Sequence, residues 1–200
     1  MSDFLDWKVD INRHGRDIPH WQQGEAIQFV TFRLADSMPQ RVLRRWCDQR
    51  KLWMEKNPEP WDEATRRTYH SLFTQEMERY LDAGMGSCLL RERENRDVLE
   101  VVFRRDDQRR AIFYSWVIMP NHVRVLFSPL GDMGRLLKTW KGVSARRIGR
   151  GGIWQKHYRD TIIRDRGHFA CVVKYIRRNP ENLNPNDFSL WESDRAREVS

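Results

Sequence analysis

The stretch AIFYSWVIMPNHVRVLFS, residues 111–128, decides the fold. Ala111 to Met119 is a dense run of apolar, aromatic and β-branched residues, the composition of a strand. Pro120-Asn121 makes a tight connection, and His122 to Ser128 reads as a second strand. Together they predict an antiparallel hairpin. Alternation puts His122, Arg124 and Leu126 on one face of the second strand and Val123, Val125 and Phe127 on the other. A histidine and an arginine side by side on a middle strand are unusual in a core. A ligand, a metal ion or a phosphate would satisfy them, and so would a partly exposed sheet face.

Working outward, Ala26 to Leu34 reads as a further strand. Ser37 as N-cap, with Pro39 in the first turn, opens a helix that runs to about Lys56 and is broken at Asn57-Pro58. Helices are also expected over Asp62 to Leu81 and Glu92 to Arg104. Beyond the hairpin come a helix over Met133 to Ile148, ended by Gly149, a strand over Asp160 to Arg164, and a helix over His168 to Arg178. The core order is β-α-β-β-α-β, an α+β antiparallel sheet of ferredoxin-like arrangement, followed by a helix that carries Tyr175. Residues 1–25 read as an irregular N-terminal arm and 26–182 as one domain. Within that domain a helical insertion covers about 57–107, and 183–200 read as a loosely held polar tail.

The 200 residues are 40% hydrophobic and 32% charged, which excludes disordered and collagen-like classes. No window approaches the ~18 consecutive apolar residues of a membrane span. The acidic start, Met-Ser-Asp-Phe-Leu-Asp, is not that of a secretory signal. Cys47, Cys88 and Cys171 form no C-x-x-C pair, so a reducing cytoplasm is the expected setting. The net charge is +8, and it is uneven. From Met133 to Arg178 thirteen bases meet only Asp160 and Asp165, a net +11, so the remainder of the chain carries −3. Such a concentration points to a polyanion, most simply nucleic acid; a solvated helix face is the plainer alternative.

The late helix adds a second constellation. Tyr175 and Asn179 are four apart and share a face, beside a second four-apart pair, Lys174 and Arg178. A phenol next to cations has a stabilised phenolate and can act as a nucleophile. An ordinary amphipathic helix would instead bury the ring and show the hydroxyl to water.

Met119-Pro-Asn-His-Val-Arg-Val-Leu126 resembles the Met-Pro-Asn-His-hydrophobe-His strand of single-tyrosine HUH transposases, and more narrowly of REP-associated tyrosine transposases of bacteria. Other landmarks agree in order: Pro19-His-Trp21, Phe29-Val-Thr-Phe-Arg-Leu-Ala-Asp-Ser-Met-Pro39, Asp82-Ala-Gly-Met-Gly-Ser-Cys88, Trp116-Val-Ile-Met, Trp140-Lys-Gly-Val-Ser-Ala145, Ile153-Trp-Gln, Ile163-Arg-Asp165 and Tyr175-Ile-x-x-Asn-Pro180. The resemblance spans residues 18–185. It implies a bacterial cytoplasmic DNA transposase that cleaves and rejoins single-stranded DNA beside hairpin elements through a 5′-phosphotyrosine. It implies Tyr175 as nucleophile and His122 and Asn179 as ligands of Mg²⁺ or Mn²⁺, with monomer and homodimer both open. The basic run from Arg135 to Arg178, with Lys138, Lys141, Arg164, Lys174 and Arg178, would hold the DNA backbone, with Arg124 as a further phosphate contact, and Trp7 and Trp21 would stack on unpaired bases.

The family's second histidine is Arg124 here. A guanidinium cannot ligate a divalent ion, and its charge repels one. This leaves three alternatives. Arg124 contacts the scissile phosphate in the ion's place; His157 approaches as a substitute ligand; or the chain only binds DNA hairpins. An RNA-binding protein on the same topology ranks last, because Arg124-Val-Leu-Phe lacks the aromatic pair such strands use.

Overall fold

The computed structural model describes residues 3–14, 20–58 and 60–200. A short hairpin comes first, β1 (Asn12–His14) and β2 (His20–Gln22), then β3 (Gln28–Arg33). Helices α1 (Gln40–Lys56), α2 (Glu63–Tyr69), α3 (Gln75–Asp82) and α4 (Arg93–Asp106) separate β3 from the hairpin β4 (Ala111–Ile118) and β5 (His122–Pro129). Then come α5 (Met133–Ile148), β6 (Arg159–Ile162), α6 (Arg166–Arg178), β7 (Ser189–Glu192) and α7 (Asp194–Arg197). Among the described residues no helix is long and apolar enough to cross a membrane.

All pairings in the main sheet are antiparallel, in the order β6-β3-β5-β4-β7. Its first four strands have the ferredoxin-like order that the sequence predicts. One face, with Val30, Phe32, Val123, Val125 and Phe127, packs on Leu99, Val102 and Phe103 of α4 and Leu136, Leu137 and Trp140 of α5. The other, with Tyr114, Val117 and Leu126, packs on Phe169, Val172, Val173 and Ile176 of α6. A bulge between Phe113 and Ser115 breaks the alternation of β4. The extra residue returns Trp116 to the same side as Phe113, where both join the α4–α5 core.

The insertion is built differently. Neither α1 nor α2 buries a single residue. Trp53, Trp61, Tyr69 and Phe73 instead cluster with ring centroids 4.8–5.9 Å apart. A π-helical turn, His70–Thr74, joins α2 to α3 within the single helix that the sequence predicts over Asp62 to Leu81.

Three expectations are corrected. Ser37 does not cap α1; Pro39 stands at the N-cap, and the Ser37 hydroxyl donates to Leu34 O (2.8 Å) while accepting from Arg33 (2.9 Å). A buried arginine needs that acceptor more than a helix that begins on proline needs a cap. The arm is not irregular throughout: Asp160 accepts from His20 Nδ1 (2.6 Å) and from Trp21 N (2.9 Å), which ties β2 to β6. The tail is not loose. β7 extends the sheet beyond β4, and α7 buries Ala196 completely. Its anchor is Arg96, 1% exposed, whose guanidinium donates to Ser189 Oγ (3.1 Å), Asn186 O (2.6 Å) and Leu90 O (2.9 Å).

Removal of residues 184–200 therefore strands a buried charge and bares the edge of β4. The truncated chain is expected to lose about 3 kcal/mol or more in chemical denaturation and to self-associate through the open edge. A loosely held tail would leave both unchanged.

Candidate active site

The site begins with alternation. His122 and Arg124 lie two apart on β5, on the face that α6 covers, and both are 0% exposed. Register places Arg124 between Thr31 of β3 and Val117 of β4, in the middle of the sheet.

The neighbours of His122 set its tautomer. Asn121 Nδ2 donates to Leu81 O (3.1 Å) and Met85 O (3.2 Å), which turns its Oδ1 toward the imidazole, 2.8 Å from Nδ1. An amide oxygen faces each ring nitrogen, Asn121 Oδ1 at Nδ1 and Asn179 Oδ1 at Nε2, and the shorter contact assigns the proton to Nδ1. The bare Nε2 lies 3.3 Å from Asn179 Oδ1, and Asn179 Nδ2 donates to Asp82 Oδ1 (3.3 Å). Burial, reinforced by Arg124, holds His122 neutral by pushing its pKa well below 6.5.

Arg124 lies beneath Tyr175, its guanidinium carbon 4.5 Å from the ring centroid. Its Nη2 bonds Glu78 Oε2 and stands 3.6 Å from Asp82 Oδ1, whereas Nε and Nη1 have no hydrogen-bond partner among the described residues. The Tyr175 hydroxyl donates to the same Glu78 Oε2 (2.6 Å), and Arg159 of β6 donates to Glu78 Oε1 (3.0 Å). Glu78 is thus the hub at which α3, β5, β6 and α6 meet. A cleft of about 280 Å³ opens beside it, lined by Asp82, Asn121, Tyr175, Arg178 and Asn179.

Charge on Tyr175 runs against the sequence expectation. Tyr175 is 38% exposed, but desolvation on the side that packs against the sheet, then Glu78 with its hydrogen bond and Asp82, push the phenol up, and Arg124 only partly opposes them. Of the two readings of Tyr175 that the sequence allows, the neutral phenol with an engaged hydroxyl fits this geometry better than a stabilised phenolate. Lys174 and Arg178 on the same helix are exposed, whereas Glu78 of α3 holds the phenol hydroxyl in a hydrogen bond.

The structure brings Tyr175, His122, Arg124 and Asn179 together and adds Glu78, Asp82 and Arg159. Sequence reasoning missed these three. Glu78 and Asp82 share a face of α3, four residues apart, but only the π turn aims that face, because each added residue rotates the downstream helix by about 100°.

Other candidates sit elsewhere. Lys141 is not open to phosphate: its ammonium donates to the carbonyls of Gln155 (2.9 Å), Lys156 (3.3 Å) and His157 (3.2 Å), and burial lowers its pKa to about 8. Lys138 is exposed on α5, across the sheet from Tyr175, whereas Arg164, Lys174 and Arg178 are exposed on the α6 side. The basic run is therefore two surfaces, not one. Trp7 is 77% exposed, and Trp21 has Arg13 over its ring.

The side chains here are a poor fit for a divalent ion. His122 Nε2 and Asn179 Oδ1 are two uncharged donors, the carboxylates beside them face Arg124, and that cation is buried two residues along the strand. His157 joins no group of three His, Cys, Asp or Glu side chains that could hold an ion among the described residues.

No family model matches the chain, and no curated protein matches it. One solved structure, described as a REP-associated tyrosine transposase bound to a REP hairpin, is similar at 18% identity. The match covers 88% of this chain and 90% of that one, with a TM-score of 0.45. That likeness decides neither family nor activity.

His122 yields a pH prediction. Unfolded, it takes a proton near pH 6.5; folded, it stays neutral to far lower pH. Its contribution to stability is complete above pH 6.5 and is lost below it at up to about 1.4 kcal/mol per pH unit. Denaturation midpoints across pH 4–8 should show this slope, and His122→Gln should remove that share of it.

Proposed function

We propose that this chain binds DNA combining a hairpin with a single strand, and that Tyr175 cuts and rejoins the single strand by attack on a phosphodiester. The observation that carries the reading is Arg124. It is a fully buried guanidinium under the ring of the nucleophile, with two nitrogens lacking acceptors among the described residues. A buried donor left unsatisfied costs about 1–3 kcal/mol. A phosphate drawn into the site would relieve that cost.

The chemistry needs three things: a nucleophile, positive charge at phosphorus, and a place for the proton. Tyr175 supplies the first. Arg124 supplies the second without a metal ion, as a permanent charge in a site where water does not screen it. Attack by the phenol oxygen exchanges one phosphodiester for another, so the bond energy is kept for rejoining and no nucleotide cofactor is consumed. Preference for DNA, and for hairpins with single-stranded flanks, is taken from the motif resemblance. Binding of the backbone falls to the exposed cations of the α6 side, Arg164, Lys174 and Arg178.

A second reading, a hairpin binder without chemistry, is favoured by one observation: the phenol is held protonated and donates to Glu78. Covalent trapping separates the two. A labelled hairpin oligonucleotide with randomised single-stranded flanks should give a denaturant-stable adduct that Tyr175→Phe abolishes. Binding with no adduct selects the second reading.

The adduct is expected to form in EDTA. Loss in EDTA with recovery on Mn²⁺ would return a divalent ion to His122 and Asn179. Arg124→His should remove the EDTA-resistant adduct and make any residual cleavage depend on Mn²⁺. Charge reversal at Lys174 or Arg178 should weaken DNA binding and flatten its log–log salt dependence by about one unit for each phosphate no longer neutralised, whereas Lys138→Glu should change the slope least.

A further inference from the structure

We propose that Glu78 is the catalytic proton acceptor for Tyr175. The proposal rests on the reading of Tyr175 as nucleophile and deepens it.

A nucleophile–base pair is recognised by geometry: the two groups in hydrogen-bond reach, and the base oriented by a third. The Tyr175 hydroxyl donates to Glu78 Oε2 at 2.6 Å. Glu78 is gripped from two strands, by Arg124 on Oε2 and by Arg159 on Oε1 at 3.0 Å. Arg124 and Arg159 are positioning residues in this respect. They fix both oxygens of the carboxylate before any substrate arrives. Asp82 is the competing carboxylate, but it accepts from Asn179 and makes no hydrogen bond to the phenol among the described residues. His122 is neutral with a bare Nε2, but that nitrogen faces Asn179.

The step balances. The phenol oxygen bonds to phosphorus as the bond from phosphorus to the 3′ oxygen breaks. The phenol proton passes to Glu78 Oε2, and the departing 3′ oxygen takes its proton from water. In rejoining, the 3′ hydroxyl gives its proton to water as it attacks, and Glu78 returns its own to the phenol. A carboxylate is a weaker base than a phenolate. Transfer therefore becomes favourable only as the oxygen bonds to phosphorus and turns acidic, which makes Glu78 a general base in the transition state rather than a group that ionises Tyr175 beforehand.

Among the described residues, the other groups that face Glu78 do not take this part. Arg124 and Arg159 are cations, Asp82 is engaged, and His70 is exposed and near enough to feel the charge of Glu78 and Arg159. His70→Asn serves as a control for titration by His70.

Single-turnover adduct formation on the labelled hairpin oligonucleotide tests the proposal. E78Q keeps the size and a hydrogen-bonding oxygen but cannot take the proton. It is expected to bind DNA as the unaltered chain does and to form adduct roughly 100-fold or more slowly. Its rate should rise about tenfold per pH unit at alkaline pH, as hydroxide replaces the missing base, where the unaltered chain is flat. If E78Q does not fold, E78D decides. It keeps a negative charge beside Arg124 and Arg159 but draws back the oxygen that the phenol and Arg124 share, and its adduct rate should fall at least tenfold in protein whose thermal transition shows it folded. Adduct formation by E78Q, or by E78D in its place, at the unaltered rate or faster overturns the proposal and makes Glu78 a latch over Tyr175. If the unaltered chain forms no adduct, the nucleophile reading falls first and this one with it.

Discussion

A guanidinium buried in the middle of a β-sheet is the constraint that shapes the rest of the site. Arg124 has no solvent to hydrate it. Taking such a charge from water costs several kcal/mol unless an anion and good hydrogen bonds offset it. Glu78 is that anion, and it arrives from α3, outside the sheet. The insertion between β3 and β4 is therefore more than cover. It delivers a carboxylate to a strand that cannot otherwise hold its own side chain.

The sheet also divides the molecule electrostatically. Its α4–α5 face is almost wholly apolar, closed by Trp140, which spends its indole N–H on Asp106 (2.9 Å). The α6 face holds more of the buried polar groups, His122, Arg124, Thr31 and Ser115, against Gln28 of β3 on the other. The same strand, β5, serves both through alternation alone. A one-residue slip would send Val123 and Val125 into the site and the imidazole into the core. The apolar side of β5 thus sets the register on which the chemistry of the other side depends.

Much of this was legible in the residues. Period-two alternation on β5 separates His122 and Arg124 from Val123, Val125 and Phe127, as the two faces of the sheet show. Four-residue spacing unites Tyr175 with Asn179, and both line the cleft. The residues that escaped are non-local. Glu78 lies 46 residues from Arg124 and 97 from Tyr175, and no local period links them. The π turn at His70–Thr74 hides Glu78 further, since a regular helix over the same residues points it elsewhere. The basic run misleads for the opposite reason. Neighbours in sequence, α5 and α6 lie on opposite faces of the sheet, so charges counted as one patch are two. The tail escaped because its anchor, Arg96, is an arginine on a helix rich in charge, and nothing local marks it as buried.

Stability and chemistry meet at one carboxylate. If Glu78 did no more than neutralise Arg124, any acid of the right length would serve, and the phenol would have no reason to share the same oxygen. Tyr175 and Arg124 both bond Oε2, while Arg159 takes Oε1. Two donors on one oxygen divide its charge, which weakens each bond as a structural tie. The phenol reaches that oxygen with its ring against the guanidinium, so the proton, the cation and the nucleophile share one edge of the carboxylate. In the proposed reaction, a phosphate accepting from the free nitrogens of Arg124 would give the cation a second anion to serve and weaken its hold on Oε2. The carboxylate would then become a better acceptor for the proton at the moment the phenol gives it up. On the proposed mechanism, arrival of the phosphate and activation of Tyr175 would be one event, coupled through a single guanidinium.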